Sequence, residues 1–249
     1  MTISATVAIV TDSAAGLSPA LLAKYNIEVL PYWVHMGDEA FVSGYDILPE
    51  EFFHRLRLDP DIPIHTSVPS VGKFTNNYEN LTQKFQSIVA IHLGDKLSGT
   101  CNAARVAAQQ SHVPVTVIDT GTTAMSEGFV VLAAAKVAQA GASVQAVVEA
   151  ARNAIPNVSV LAMLESVKYV LKGGRLSSTA GKVTSFLNIH PLARVRDNKV
   201  SLCGQARRRS KGLKALQDKI VDEVRDAPTR LAVHYAEDQA EGQKLLDAL

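Results

Sequence analysis

Short segments rich in serine and threonine are the parts of this chain whose residue types and spacing could recognise a ligand. The clearest, Ser98-Gly99-Thr100, lies between an apolar run of strand length at residues 88–93 and an alanine-rich helix. Hydroxyls donate hydrogen bonds to anions, and the first N–H groups of a helix have no partner within it. A loop between a parallel strand and a helix also lies where ligands bind. The pattern predicts an anion-binding loop.

Two further polar segments are candidate ligand loops. Asp12 and Ser13 follow a short apolar strand at residues 7–10, at the point where a parallel strand would end. Thr66 and Ser67 precede an amphipathic helix, where turn chemistry alone would also account for them. All four side chains carry oxygens that can bind a ligand or hold a loop in shape.

The elements that position these segments alternate between strand and helix. Apolar runs predict strands, and apolar residues at helical spacing behind an N-cap serine predict helices. The predicted strands cover residues 7–10, 27–34, 88–93 and 115–118, and the predicted helices cover 20–25, a segment from 48, 71–85, 123–140 and 143–153. This alternation predicts an α/β fold with an N-terminal domain over residues 1–155, in which helices cover both faces of a parallel sheet.

After residue 155 the pattern changes, which predicts a smaller α+β domain over residues 156–249. Its predicted elements are strands at 158–161 and 231–235, a helix at 165–171 and a hairpin at 193–202 that turns at Asp197-Asn198.

Composition excludes several classes of protein. The 249 residues are 47% hydrophobic with a formal charge of +1, so no overall field would attract nucleic acid or an anionic membrane. Cys101 and Cys203 stand alone, so neither a disulfide framework nor a zinc site is predicted. No apolar run approaches the ~20 residues of a membrane span, and no signal peptide is recognisable. We expect a cytoplasmic protein without metal or cofactor, with at most transient contact with a membrane surface.

Motifs for nucleotide binding and serine hydrolysis are incomplete. No Gly-x-Gly-x-x-Gly follows the first strand, and Gly181-Lys182-Val183 lacks the rest of a phosphate-binding loop. The segment 124–128 resembles a nucleophile elbow around Ser126, but that serine falls inside a predicted helix. A nucleotide site is therefore not expected, and a hydrolase using Ser126 or Ser98 is kept as the alternative function.

A basic block covers residues 194–214, with eight cationic residues against one acid. Nucleic acid could bind such a block, but no aromatic residue is interleaved for base stacking. A solvated face or a docking surface for an acidic protein partner is the better explanation. A nucleic-acid-binding regulator using Arg207 to Lys214 is the third hypothesis.

Five segments in this order over nearly the whole chain resemble the DegV family, which includes the fatty-acid-binding subunits of bacterial fatty acid kinase. They are Val10-Thr11-Asp12-Ser13, Thr66-Ser67-Val68-Pro69-Ser70, Leu97-Ser98-Gly99-Thr100, Leu171-Lys172-Gly173-Gly174-Arg175-Leu176 and Leu187-Asn188-Ile189-His190-Pro191-Leu192.

The resemblance implies a carrier that is not itself an enzyme. Two α/β domains would hold a long-chain fatty acid between them, and a separate kinase subunit would phosphorylate the bound acid to an acyl phosphate. By the same resemblance, Thr66, Ser67, Ser98 and Thr100 would grip the carboxylate, with Gly99, Asp12 and Ser13 beside them. The kinase would contact a basic surface formed by Arg175, Arg207, Arg208 and Arg209.

The sequence departs from the family pattern at two places. His190 stands where the family has lysine, which lowers the positive charge there and points to a different partner surface. The family's final His-Thr-Gly-Pro-Gly segment, whose histidine approaches the carboxylate, does not follow before Leu249. We expect a C-terminally shortened second domain, or a fragment.

Overall fold

The computed structural model describes residues 7–165, 168–175, 189–225 and 227–249, which form two compact units. Unit 1 comprises the described residues of Met1–Leu48, Ile62–Ser159 and Arg196–Asn198, and unit 2 those of Pro49–Asp61, Val160–Val195 and Lys199–Leu249. Residues 49–61 thus belong to unit 2. The domain boundary predicted from the sequence, at residue 155, assigns them to the first domain.

The described residues form ten strands and nine α-helices. The strands are β1 (Val7–Asp12), β2 (Ile27–Leu30), β3 (Trp33–Met36), β4 (Glu39–Val42), β5 (Ile64–Ser67), β6 (Ser87–His92), β7 (Val115–Asp119), β8 (Val160–Met163), β9 (His190–Arg196) and β10 (Lys199–Ala206). The helices are α1 (Pro19–Tyr25), α2 (Pro49–Leu58), α3 (Val71–Thr82), α4 (Thr100–Ala108), α5 (Ala124–Gln139), α6 (Val144–Ala154), α7 (Lys168–Lys172), α8 (Arg209–Val224) and α9 (Gln239–Asp247). Short 3-10 turns cover Ser13–Ala15 and Ile155–Asn157.

A parallel sheet in the order β2-β1-β6-β7 organises unit 1. The chain leaves β1 towards β2 on one side and leaves β6 towards β7 on the other, so the strand order reverses between β1 and β6. Ligands of open α/β sheets bind in the crevice at the carboxyl ends of two such strands. In this sheet that position lies next to Asp12 and His92, the last residues of β1 and β6.

Both faces of this sheet are covered by helices, as the sequence predicts. On one face Val89 and Ile91 pack in a core with residues of α5 and α6. On the other face Ile88 and Ala90 pack with Phe74 of α3 and with residues of α4. Because successive strand residues point to opposite faces, the apolar run at 88–91 supplies both cores. The predicted α/β fold class is confirmed.

Helix starts in unit 1 follow the capping chemistry read from the sequence. Ser18, Ser70 and Ser143 each accept a hydrogen bond from the backbone N–H three residues later, with O–N distances of 3.3 Å. These bonds satisfy N–H groups that have no partner within the helix. The predicted starts of α1, α3 and α6 are confirmed.

The predicted strand at 27–34 is wrong in one respect, because it is two strands. β2 joins the parallel sheet, whereas β3 pairs antiparallel with β4 and β5 in a second sheet of unit 1. Pro31 lies between them and has no N–H to continue a ladder. The chain therefore changes sheets at Pro31-Tyr32, which places Tyr32 beside the carboxyl edge of the parallel sheet.

Unit 2 contains the antiparallel sheet β10-β9-β8 together with α2, α7, α8 and α9. The predicted hairpin is confirmed, and its turn residues Asp197 and Asn198 have φ of 51° and 61°, as a tight hairpin turn requires. The predicted strand at 231–235 is wrong, since these residues form no strand and both Leu231 and Tyr235 are exposed. Leu176, Leu187 and Asn188 of the quoted motifs lie outside the described residues.

Candidate functional site

Three hydroxyl groups meet at the start of α4. The Tyr32 hydroxyl hydrogen-bonds to Thr100 Oγ1 and lies 3.3 Å from Ser98 Oγ, while Ser98 Oγ and Thr100 Oγ1 are 2.9 Å apart. Thr100 is completely buried, and Ser98 is half-buried. We call Tyr32, Ser98 and Thr100 the hydroxyl triad.

The N-terminus of α4 adds backbone donors to this triad. Gly99 is the N-cap residue, and no side chain of the described residues makes a cap hydrogen bond there. The first N–H groups of such a helix attract anions, both as donors and through the helix dipole. Gly99 itself is exposed, with φ of −75° and open space where a Cβ would stand.

The loop before the triad is held by the turn between β9 and β10, whose residues 196–198 belong to unit 1. Asn198 accepts a hydrogen bond from Lys96 N at 3.1 Å and donates one to Asp119 Oδ2 at 2.8 Å. Asp119 Oδ1 in turn accepts from the N–H groups of Asp95 and Gly121. The amide of one turn residue thereby fixes the loops that follow β6 and β7.

Asp12 and Ser13, both predicted as ligand residues, make contacts within the protein. Asp12 Oδ1 accepts from Ala14 N at 2.9 Å, and Oδ2 lies 3.0 Å from His92 Nδ1 and accepts from Leu93 N at 3.4 Å. Ser13 Oγ accepts from the backbone N–H of Tyr32 at 3.1 Å. The two residues therefore hold the strand ends and Tyr32 in place.

Glu127 of α5 is a buried carboxyl group in the same region. Its Oε1 accepts a hydrogen bond from Thr11 Oγ1 at 3.3 Å, and its side chain is inaccessible to solvent. Burial raises the pKa of Glu127 well above its ordinary value, and the negative charge of Asp12 adds to the rise. This rise in pKa favours the protonated, uncharged form of Glu127 in the folded protein.

Replacing Glu127 by glutamine is expected to stabilise the protein at neutral and alkaline pH. Above the ordinary pKa of about 4.3, the unfolded chain loses a proton that folded Glu127 retains, so stability falls by about 1.4 kcal/mol per pH unit until the raised pKa is reached. Glutamine removes this loss, and urea unfolding should show Glu127→Gln more stable by over ~1 kcal/mol at pH 8. The difference should shrink towards pH 4.5. Exposed Glu149→Gln is the control, and a pH-independent difference would contradict the assignment.

Thr66 and Ser67 lie on β5 in the second sheet of unit 1. Ser67 pairs with Trp33, the residue after Tyr32, and its Oγ lies 2.9 Å from His35 Nε2, whose ring stacks on His65. Thr66 is exposed. No hydrogen bond of the described residues joins either side chain to the triad, so their role at a carboxylate stays a prediction.

The arginines predicted to contact a partner lie on exposed positions of unit 2. Arg209 forms ion pairs with Glu165 and Glu241, with its Nε 3.0 Å from Glu241 Oε1. Arg175 hydrogen-bonds to the carbonyl of Gly173, and Arg207 and Arg208 are exposed before α8.

Within the described ranges, none of the helices is both long and apolar enough to cross a membrane.

The geometry defines the class of protein. It has a mixed α/β fold, with parallel and antiparallel sheets, and a hydroxyl cluster beside an uncapped helix start at the carboxyl edge of the parallel sheet. Residues 6–249 match a family model described as "Uncharacterised protein, DegV family". The chain belongs to the DegV family.

Relatives and solved structures agree with this assignment. A DegV domain-containing protein of Streptomyces coelicolor is 33% identical over 244 residues, 98% of this chain and 86% of that protein. DegV of Bacillus subtilis, described as a fatty acid binding protein, has a TM-score of 0.87 at 23% identity, covering 98% of this chain and 87% of that one. A stearic acid-binding protein from Eubacterium ventriosum has a TM-score of 0.86 at 24% identity, covering 97% and 86%. These structural similarities establish the fold.

Proposed function

We propose that this protein is a carrier that binds a long-chain fatty acid and presents its carboxylate to a separate kinase. The observation that carries the proposal is the hydroxyl triad beside the uncapped start of α4, which is a neutral, donor-rich anion site. The protein's membership of the DegV family supports a lipid ligand, since the solved relatives from Bacillus subtilis and Eubacterium ventriosum are described as fatty acid binding proteins.

The affinity of such a carrier comes mainly from the tail. Burying a sixteen-carbon chain contributes ~12 kcal/mol at ~0.8 kcal/mol per methylene, and association costs of roughly 4–15 kcal/mol offset much of it. The head group then fixes the register of the ligand. Thr66, Ser67, Asp12 and Ser13 complete the proposed head-group region, the last two by holding Tyr32 and the strand ends.

Neutral hydroxyls suit a carboxylate that is to be phosphorylated. They donate hydrogen bonds without forming an ion pair that would shield the reacting oxygen. In the kinase step this oxygen attacks the γ-phosphate of ATP, giving the acyl phosphate and ADP. We place the carrier in the cytoplasm, where ATP is available, and place the kinase contact at Arg175, Arg207, Arg208 and Arg209.

Mass spectrometry of material extracted from the purified protein tests the binding proposal. We expect a bound fatty acid, and palmitate added after delipidation should change the fluorescence of Trp33, the only tryptophan, because its strand pairs with Ser67. A protein that is repeatedly free of lipid and takes up neither palmitate nor oleate would refute the proposal.

Turnover of an activated palmitoyl ester that Ser98→Ala or Ser126→Ala abolishes would favour a hydrolase instead. Ser126, one of the two serines that such a hydrolase would use, lies in the first turn of α5 and is 6% exposed.

A further inference from the structure

We propose that Tyr32 is a positioning residue of the head-group site, and that its hydroxyl makes the site selective for a carboxylate over an uncharged head group. This inference rests on the proposed function. It starts from the contacts of the Tyr32 hydroxyl with both Ser98 and Thr100.

The number of donors and acceptors in the triad explains the role of Tyr32. Without a ligand, three hydroxyls can each donate one hydrogen bond and accept one, which satisfies all three. When a carboxylate binds, Ser98 and Thr100 each donate their hydroxyl hydrogen bond to an anionic oxygen of the ligand and no longer to another hydroxyl of the triad. The completely buried Thr100 oxygen needs a new donor at that moment, and the Tyr32 hydroxyl is already hydrogen-bonded to it. Donation from Tyr32 also polarises the Thr100 hydroxyl towards the anion.

The position and the protonation state of Tyr32 are fixed by its surroundings. Ser13 Oγ accepts from its backbone N–H, and β3 begins at the next residue. Burial raises the pKa of the Tyr32 hydroxyl far above its ordinary value, and the nearby charge of Asp12 raises it further. The hydroxyl therefore keeps the proton that it donates.

Titration of wild-type protein and Tyr32→Phe with palmitate and with hexadecanol tests the proposal. Phenylalanine keeps the ring and removes only the donor, so palmitate should bind about tenfold more weakly. Hexadecanol, which has the same tail and no charge, should change by less than about twofold. The fitted stoichiometry reports the folded fraction, so a partly unfolded variant still yields both dissociation constants.

Tyr78→Phe is the matched control, because Tyr78 is completely buried and its hydroxyl has no hydrogen-bond partner among the described residues. It should leave the affinities for both ligands unchanged. If Tyr32→Phe weakens the acid and the alcohol equally, or neither, the selectivity role is refuted. Wild-type protein that binds neither ligand would refute the proposed function itself, which is a different result.

Discussion

Replacing Ser98 by alanine and Thr100 by valine together is expected to weaken palmitate binding by at least about a hundredfold. In the proposed complex each hydroxyl donates to the carboxylate, and hydrogen bonds to charged groups contribute about 1.5–3 kcal/mol. Loss of two exceeds the ~2.7 kcal/mol that corresponds to a hundredfold change. Valine keeps the shape of threonine, so the packing of the completely buried Thr100 is retained.

Hexadecanol and a second double variant separate recognition from folding in this experiment. Hexadecanol should lose about tenfold or less, because it keeps the tail and lacks the charge. Ser111→Ala with Thr116→Val removes the same two hydroxyl types. Ser111 precedes β7 and Thr116 lies in its N-terminal half, so both are away from the carboxyl edge of the sheet. This control should bind palmitate like wild type. Full palmitate affinity in Ser98→Ala/Thr100→Val would show that the carboxylate binds elsewhere.

The sequence predicted the elements around this site better than the contacts within it. Buried strands, N-cap serines and the Asp197-Asn198 turn each depend on a few adjacent residues, and these predictions are confirmed. The strand at 231–235 was predicted from apolar residues alone, but a strand also needs a neighbour to pair with. None of the described strands pairs with these residues.

Tyr32 was missed because its role depends on contacts distant in sequence. It lies 66 and 68 residues from Ser98 and Thr100, and no motif includes it. The one available signal was Pro31, which interrupts a strand-like run and forces the chain away from the parallel sheet. Asp12 was predicted as a ligand residue from its place at a strand end; the structure confirms that place, and the ligand role stays a prediction. Sequence could not show that its oxygens bind Ala14, His92 and Leu93.

Replacing Asp12 by alanine is expected to destabilise unit 1 by about 3 kcal/mol or more. The Asp12 and His92 side chains are both inaccessible to solvent, and Asp12 accepts hydrogen bonds from the N–H groups of Ala14 and Leu93. Alanine leaves these donors and His92 Nδ1 without an acceptor, and each unsatisfied buried group costs about 1–3 kcal/mol. Urea unfolding at fixed pH measures the change.

Asp46→Ala is the matched control for Asp12→Ala, because Asp46 Oδ2 also accepts a backbone hydrogen bond, from Val42 N at 2.8 Å, but is exposed. Its loss should cost about 1 kcal/mol or less, since water replaces the lost acceptor. A structural role also predicts that folded Asp12→Ala loses less palmitate affinity than Ser98→Ala/Thr100→Val. Wild-type stability together with a comparable loss of affinity would instead make Asp12 a direct ligand residue, because a side chain that contacts only the ligand does not stabilise the empty protein.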